Sequence, residues 1–236
     1  MKRIALVLLL VVALAPPAMA DQITVNAGLY QTGSGGEFQY NVVNSSTQFD
    51  TAGYASTTTN QGSDNSFQTF CIETSEHIGF GNTYNANLNN EGAVNGGYAG
   101  GSPDPISQGT AWLYSQFAQG ILGGYSYTGT AAERQASANA LQQTIWWLEN
   151  ENPAYFPSLI GNIFYAAVIA QFGANAQYGI AGTSAAYGVY AINMWNANGT
   201  VAQDALFYSV PDGGTTLMLL GGALLGLGAL RRKFGR

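Results

Sequence analysis

Two apolar segments, one at each end, confine folding to the chain between them. Met1 to Ala20 opens with the basic pair Lys2 and Arg3, continues as an apolar run from Ile4 to Ala15, and closes on the small residues Ala18-Met19-Ala20. That layout is a secretory signal peptide cut before Asp21. At the other end, residues 217–230 contain only Leu, Met, Ala and Gly, and Arg231, Arg232, Lys233 and Arg236 follow. The stretch is slightly short of the about 20 apolar residues that suit a hydrocarbon core, and a basic tail stays in the cytoplasm. It reads as a C-terminal transmembrane helix, because no chain follows that could cover it. The expected division is therefore a signal peptide (1–20), an exported domain (21–209) and a C-terminal membrane segment (210–236).

A short polar motif leads into the membrane segment: Val210, Pro211, Asp212, Gly213 and Gly214. Motif, apolar helix and basic cluster in that order resemble the PEP-CTERM sorting signal in its VPDSG-like variant, with Gly213 where the variant carries Ser. The resemblance implies an exosortase as processing partner, a membrane enzyme of Gram-negative bacteria that cuts near the motif. The protein would then pass through an inner-membrane intermediate to the cell surface or the extracellular matrix. Proteins with this signal often accompany exopolysaccharide production.

Charge in the exported segment is lopsided. Every acidic residue except Asp212 lies there, against Arg134 alone, which leaves eleven net negative charges. Phosphate contacts need Lys or Arg, so nucleic acid is excluded as a partner. An anionic surface also favours solubility after export. No lysine stands between Asp21 and Ser209.

Periodicity gives strands, then helices, then strands. Residues 22–30, 37–43, 67–72 and 82–88 read as strands, separated by a Ser/Thr/Asn/Gly-rich loop at 44–66 and followed by another loop at 89–105. Pro105 suits the first turn of a helix carrying Ile106, Thr110, Leu113, Phe117 and Ile121 at helical spacing. Thr130-Ala131-Ala132-Glu133 is a capping box opening a helix to about Glu149, and Pro153 stops it. A third helix starts at Pro157 or Ser158 and runs to Gln171, with Gly173 as terminator. Strands return at 187–195 and 205–210, with the turn signal Asn198-Gly199 between them. The expected fold class is α+β: a β-sandwich or barrel-like sheet domain carrying a helical insertion.

Cys71 is the only cysteine. A single thiol in an exported domain has no internal disulfide partner. It is a small buried apolar residue, a nucleophile, or a member of another covalent bond. A nucleophile needs a base, and His77, the only histidine, stands six residues away without a hydrolase signature around it. One His and one Cys without ligand spacing give no metal site. No cofactor motif is present.

The third option has support in the residues nearby. Thr69-Phe70-Cys71-Ile72-Glu73 and Leu141-Gln142-Gln143-Thr144-Ile145-Trp146-Trp147 together resemble the thioester (TQxA) domains of bacterial surface adhesins. Ile145 and Trp146 fall on the family's Ile-Trp pair and Gln142 on its reactive glutamine, while Leu141 stands for Thr and Thr144 for Ala. Gln143, beside it, is the alternative partner. The resemblance implies an internal thioester: Cys71 sulfur attacks the Gln142 side-chain carbonyl, ammonia leaves, and an incoming amine later takes the acyl group. That is single-use coupling to an amine-bearing surface or matrix molecule, not enzymatic turnover. Phe70, Trp146 and Trp147 are candidates to shield the bond from water, with ordinary core packing as their other role. A lysine-free surface would spare such an electrophile from reacting with its own domain; a general acidic bias of exported proteins accounts for it as well. The competing functional reading is a non-covalent structural protein of the envelope or biofilm matrix with an unreactive Cys71. For a hydrolase there is no acid-base constellation; Glu73/Glu76 and Glu149/Glu151 are too ordinary to argue from.

Overall fold

Six strands form a single antiparallel sheet with apolar side chains buried on one face. In the computed structural model, which describes residues 21–33, 35–43, 48–59, 65–98, 100–179 and 187–210, these are β1 (Asp21–Asn26), β2 (Phe38–Val42), β3 (Ser66–Thr69), β4 (Thr83–Asn89), β5 (Val189–Trp195) and β6 (Ala205–Tyr208). Their order across the sheet is β3-β2-β1-β4-β5-β6. Residues directly opposite each other share a face. Val25 pairs Tyr40 and Tyr40 pairs Phe67, while Ala86 pairs Met194 and Ile192 pairs Ala205. All of these are buried on the inner face. The signal peptide and the segment from Pro211 onward, including the expected membrane helix, lie outside the described residues. Among the described residues no helix is long and apolar enough to cross a membrane.

Of the two arrangements expected, a sandwich or a barrel-like sheet, the structure has the barrel-like one: a single sheet that curls until its edges nearly meet. Strand twist brings β3 and β6 together, and a short seam joins them. The Thr69 hydroxyl donates to the Leu206 carbonyl at 2.5 Å and accepts from the Leu206 N–H at 3.1 Å. Cys71 forms an isolated antiparallel bridge with Ala205, and the Ile72 N–H donates to the Asp204 carbonyl at 3.1 Å. One threonine side chain thus stands in for a backbone unit in the closing ladder. Phe67 and Phe207 meet edge-on behind it with centroids 4.9 Å apart.

Between β4 and β5 the chain leaves the sheet for α1 (Gln108–Ala118), α2 (Ala131–Leu148) and α3 (Ile163–Phe172). Helix α2 begins where its capping box requires: the Glu133 N–H donates to the Thr130 hydroxyl, and the Thr130 N–H to the Glu133 carboxylate at 2.7 Å. Helix α1 starts three residues later than Pro105 suggests, because Ser107 is its cap and accepts from the Thr110 N–H at 3.1 Å. Buried Glu149, just past α2, accepts from the Ser107 N–H and hydroxyl, tying the two helices together. Helix α3 starts at Ile163 rather than at 157 or 158, because Asn162 caps the Phe164 and Tyr165 N–H groups. It ends at Phe172, before Gly173 at φ +57°.

Arg134, the one basic residue of the exported segment, is buried rather than displayed. Its guanidinium grips Glu37 in two parallel bonds of 3.0 and 2.7 Å. It also donates to the Tyr127 and Thr57 carbonyls and lies 4.2 Å over the Tyr30 ring. The Tyr125 hydroxyl donates to the same Glu37 carboxylate at 2.6 Å. This pair pins the first turn of α2 to the entrance of β2.

Two expectations follow. Arg134→Ala removes the counter-charge from a buried carboxylate and should cost about 3–5 kcal/mol, read as a lower denaturant midpoint. Burial pushes the Glu149 carboxyl up to about 7, with nearby Asp104 adding and the Ser107 and Thr110 hydroxyls opposing. Such a group favours the fold below its unfolded value, and that contribution is lost as pH rises to about 7. Glu149→Gln should therefore lose less Tm than wild type between pH ~5 and ~8, measured by thermal melts across that range.

Candidate functional site

Cys71 stands two residues past the end of β3 and lies in the seam, 1% exposed. One side of its backbone faces β6. The other side faces the Gln142 carboxamide, delivered from the middle of α2. The Cys71 N–H donates to Gln142 Oε1 at 3.0 Å, and Gln142 Nε2 donates back to the Cys71 carbonyl at 2.8 Å. The Gly36 N–H, at the entrance to β2, donates to the same Oε1 at 3.0 Å. A side-chain amide thus fills the place of a peptide unit between Gly36 and Cys71. Gln142 is wholly buried, and a buried amide stays favourable only with such partners.

The two glycines before β2 make room for it. A Cβ on Gly35 would overlap Gln142 Cγ and stand 3.2 Å from the Trp146 ring. A Cβ on Gly36 would sit 2.7 Å from the Thr69 carbonyl oxygen. Gly35 lets the backbone pass against the glutamine, and Gly36 lets it pass against the end of β3.

Gln143 is half-buried on the neighbouring face of α2 and bonds to neither Cys71 nor Gly36; the structure brings Gln142, not Gln143, to the cysteine. Phe70 is fully buried and edge-on to Phe117 at 4.9 Å, so it backs the pair from the core. Trp146 covers the other side: it lies against Gly35 and stacks edge-on with Tyr155 at 5.5 Å. With Gln31, Gly33, Phe38 and Glu73 it walls a cavity of about 290 Å³. Trp147 lies elsewhere, edge-on to Tyr165 at 4.8 Å. His77 is exposed while Cys71 is buried, and no hydrogen bond joins them, so the Cys-His option has no geometry.

Burial pushes the Cys71 thiol well above its usual range, and Glu73 and Glu76 add to the shift. Burial likewise raises the Tyr40 hydroxyl, with Cys71 the next contributor. That hydroxyl is buried and meets no hydrogen-bond partner. Sequence reasoning missed Tyr40, since nothing distinguishes it from other strand aromatics. It also missed Glu151, whose carboxylate accepts from the Thr74 N–H at 2.8 Å and the Thr74 hydroxyl at 2.5 Å. Glu151 anchors the segment after Cys71 to the end of α2, just as Gln142 anchors Cys71 itself. Of the sorting motif only Val210 is described, and it is half-exposed; Pro211, Asp212, Gly213, Gly214 and the basic residues Arg231, Arg232 and Lys233 lie outside the described residues.

Comparison with known proteins speaks to the tail. A family model described as the VPDSG-CTERM motif matches residues 209–234. No curated protein and no solved structure matches the chain. The tail marks an exported, cell-surface-directed protein processed by an exosortase-like sorting enzyme.

The glycine contact gives a prediction. Gly35→Ala forces Gln142 out of its seat and should cost about 1–3 kcal/mol. Gly123→Ala, with nothing within 4 Å of the added carbon, should stay within about 0.5 kcal/mol of wild type. Chemical denaturation of both variants checks the contrast.

Proposed function

We propose that the exported domain is a covalent surface adhesin of a Gram-negative bacterium, with an internal thioester between Cys71 and Gln142. The observation that carries this is the seat of the carboxamide. Its oxygen accepts from two backbone N–H groups, those of Gly36 and Cys71. Donors fixed on a carbonyl oxygen polarise its carbon and stabilise the oxyanion formed on nucleophilic attack. The nucleophile that belongs to this seat is the Cys71 sulfur.

The chemistry balances without a cofactor. The Cys71 S–H bond and the Gln142 Cδ–Nε2 bond break, an S–Cδ bond forms, and the thiol proton leaves with the nitrogen as ammonia. In the second step an amine attacks Cδ. A C–N bond replaces the C–S bond, and the amine's proton returns to the sulfur. Water competes for the same carbon, so burial of both residues protects the acyl group until an amine arrives. Trp146 and the cavity beside it mark the approach. The described surface carries no lysine and no unburied arginine, which leaves the domain without side-chain amines to consume its own thioester. An amine-bearing molecule at the cell surface or in the surrounding matrix is the partner.

A second reading rests on the same bonds. With both Oε1 bonds and one Nε2 bond made, the Gln142 amide is a sufficient clamp for α2 without any condensation, and the protein is then a non-covalent structural component of the envelope or matrix. Intact mass separates the two. The thioester form is lighter than the sequence by one ammonia, and methylamine adds its own mass while freeing the Cys71 thiol. Cys71→Ala and Gln142→Ala should each abolish the deficit. Full unmodified mass in folded, untreated protein would sink the adhesin reading and leave the clamp.

A further inference from the structure

A cluster of carboxylates stands beside the seam, and no Lys or Arg side chain among the described residues is paired with it. Glu73, two residues after Cys71, is 1% exposed, and neither of its carboxylate oxygens receives a hydrogen bond. Asp204, just before β6, is wholly buried. Glu76 completes the group, and one carboxylate oxygen from each residue lies within 4.8 Å of the others. Arg134, the only Lys or Arg side chain of the exported segment, is committed to Glu37, and His77, which lines the same cavity as Glu73 and Glu76, is exposed. Burying ionised carboxylates without a partner is prohibitive.

We propose that Glu73, Glu76 and Asp204 bind a calcium ion that locks the barrel seam. The spacing fits: two ligands on one Ca²⁺ at 2.3–2.6 Å stand at most about 5 Å apart. The donor set is all carboxylate oxygen, the chemistry of a hard cation. The ligands are also held in place from behind. Glu76 accepts from the Asn95 amide at 3.0 Å and from the Asp204 N–H at 3.3 Å. Asp204 accepts from the Val94 N–H at 2.6 Å and the Met194 N–H at 3.3 Å. These bonds orient the carboxylates and leave lone pairs for the ion. Glu73 and Glu76 also line the cavity of about 290 Å³ beside Trp146, which supplies entry and room for the remaining water ligands.

The ion would join the segment after β3 to the start of β6, where the sheet closes through Thr69, Cys71 and Ile72. Sequence offered no sign of it: Glu73 and Glu76 are close in the chain, but Asp204 arrives only through the closing strand.

The test uses full-length protein purified in detergent, stripped with chelator and titrated with calcium chloride alone. Tm should rise with calcium concentration, by about 5 °C or more at a hundredfold excess over Kd. The Kd should fall in the 10⁻⁴–10⁻³ M range of extracellular calcium modules. Glu73→Gln should abolish the rise while leaving the chelated protein at least as stable as wild type, because it removes an unbalanced buried acid. Asp204→Asn serves as the second variant. Cys71→Ala should keep the rise, which separates this site from the thioester. No rise in folded wild-type protein, or an undiminished rise in both Glu73→Gln and Asp204→Asn, overturns the proposal.

Discussion

The Gln142 carboxamide is the joint on which the arrangement depends. A closed sheet needs its edge backbone satisfied, and the chain around Cys71 has two edges to satisfy. β6 takes one, through Ala205 and Asp204. The other falls to a side chain from a helix, which bonds both to Cys71 and to Gly36. Each of these bonds is worth about 1 kcal/mol net, but leaving a buried donor or acceptor unmet costs more than making it gains. The position of α2 is therefore coupled to closure of the sheet, and the same bonds hold the Gln142 carboxamide against the Cys71 backbone.

Electrostatics reinforce the geometry. A domain with one cation has few ways to bury a charge. It uses that cation, Arg134, for Glu37 at the first turn of α2, so one end of the helix is pinned by an ion pair and its middle by an amide. Past its last turn, Glu149 and Glu151 reach back to Ser107 and Thr74 through hydrogen bonds alone. The helix is thereby held to the sheet, to α1 and to the segment after Cys71. Rigid support of this kind is what the proposed condensation of Cys71 with Gln142 would require, since the attacking and attacked atoms gain only when held in register.

Some of this was legible in the sequence because the signals are local. Thr130 and Glu133 fix the start of α2 through bonds three residues apart, and the β-α-β order follows from periodicity. Gln142 and Cys71 stand out through flanking residues that resemble a known pair. What was not legible depends on distant closure. The sequence left a sandwich and a barrel-like sheet both open, and the choice between them is set by Thr69 meeting Leu206 across most of the domain. Gly35 and Gly36 look like an ordinary flexible loop until Gln142 lies over them. Arg134 enters the sequence only as a lone charge, and nothing near it in the chain points to its partner Glu37, 97 residues away. The starts of α1 and α3 moved because Ser107 and Asn162 cap more effectively than the prolines upstream suggest.

The account rests on Gln142 being seated against Cys71 and able to condense with it. A crystal structure of the exported protein, grown without added amines, tests this most directly. The account predicts continuous density from Cys71 Sγ to Gln142 Cδ, with the oxygen still facing the Gly36 and Cys71 N–H groups. A glutamine side chain turned away from Cys71, with the sulfur packed elsewhere in the barrel, would contradict it.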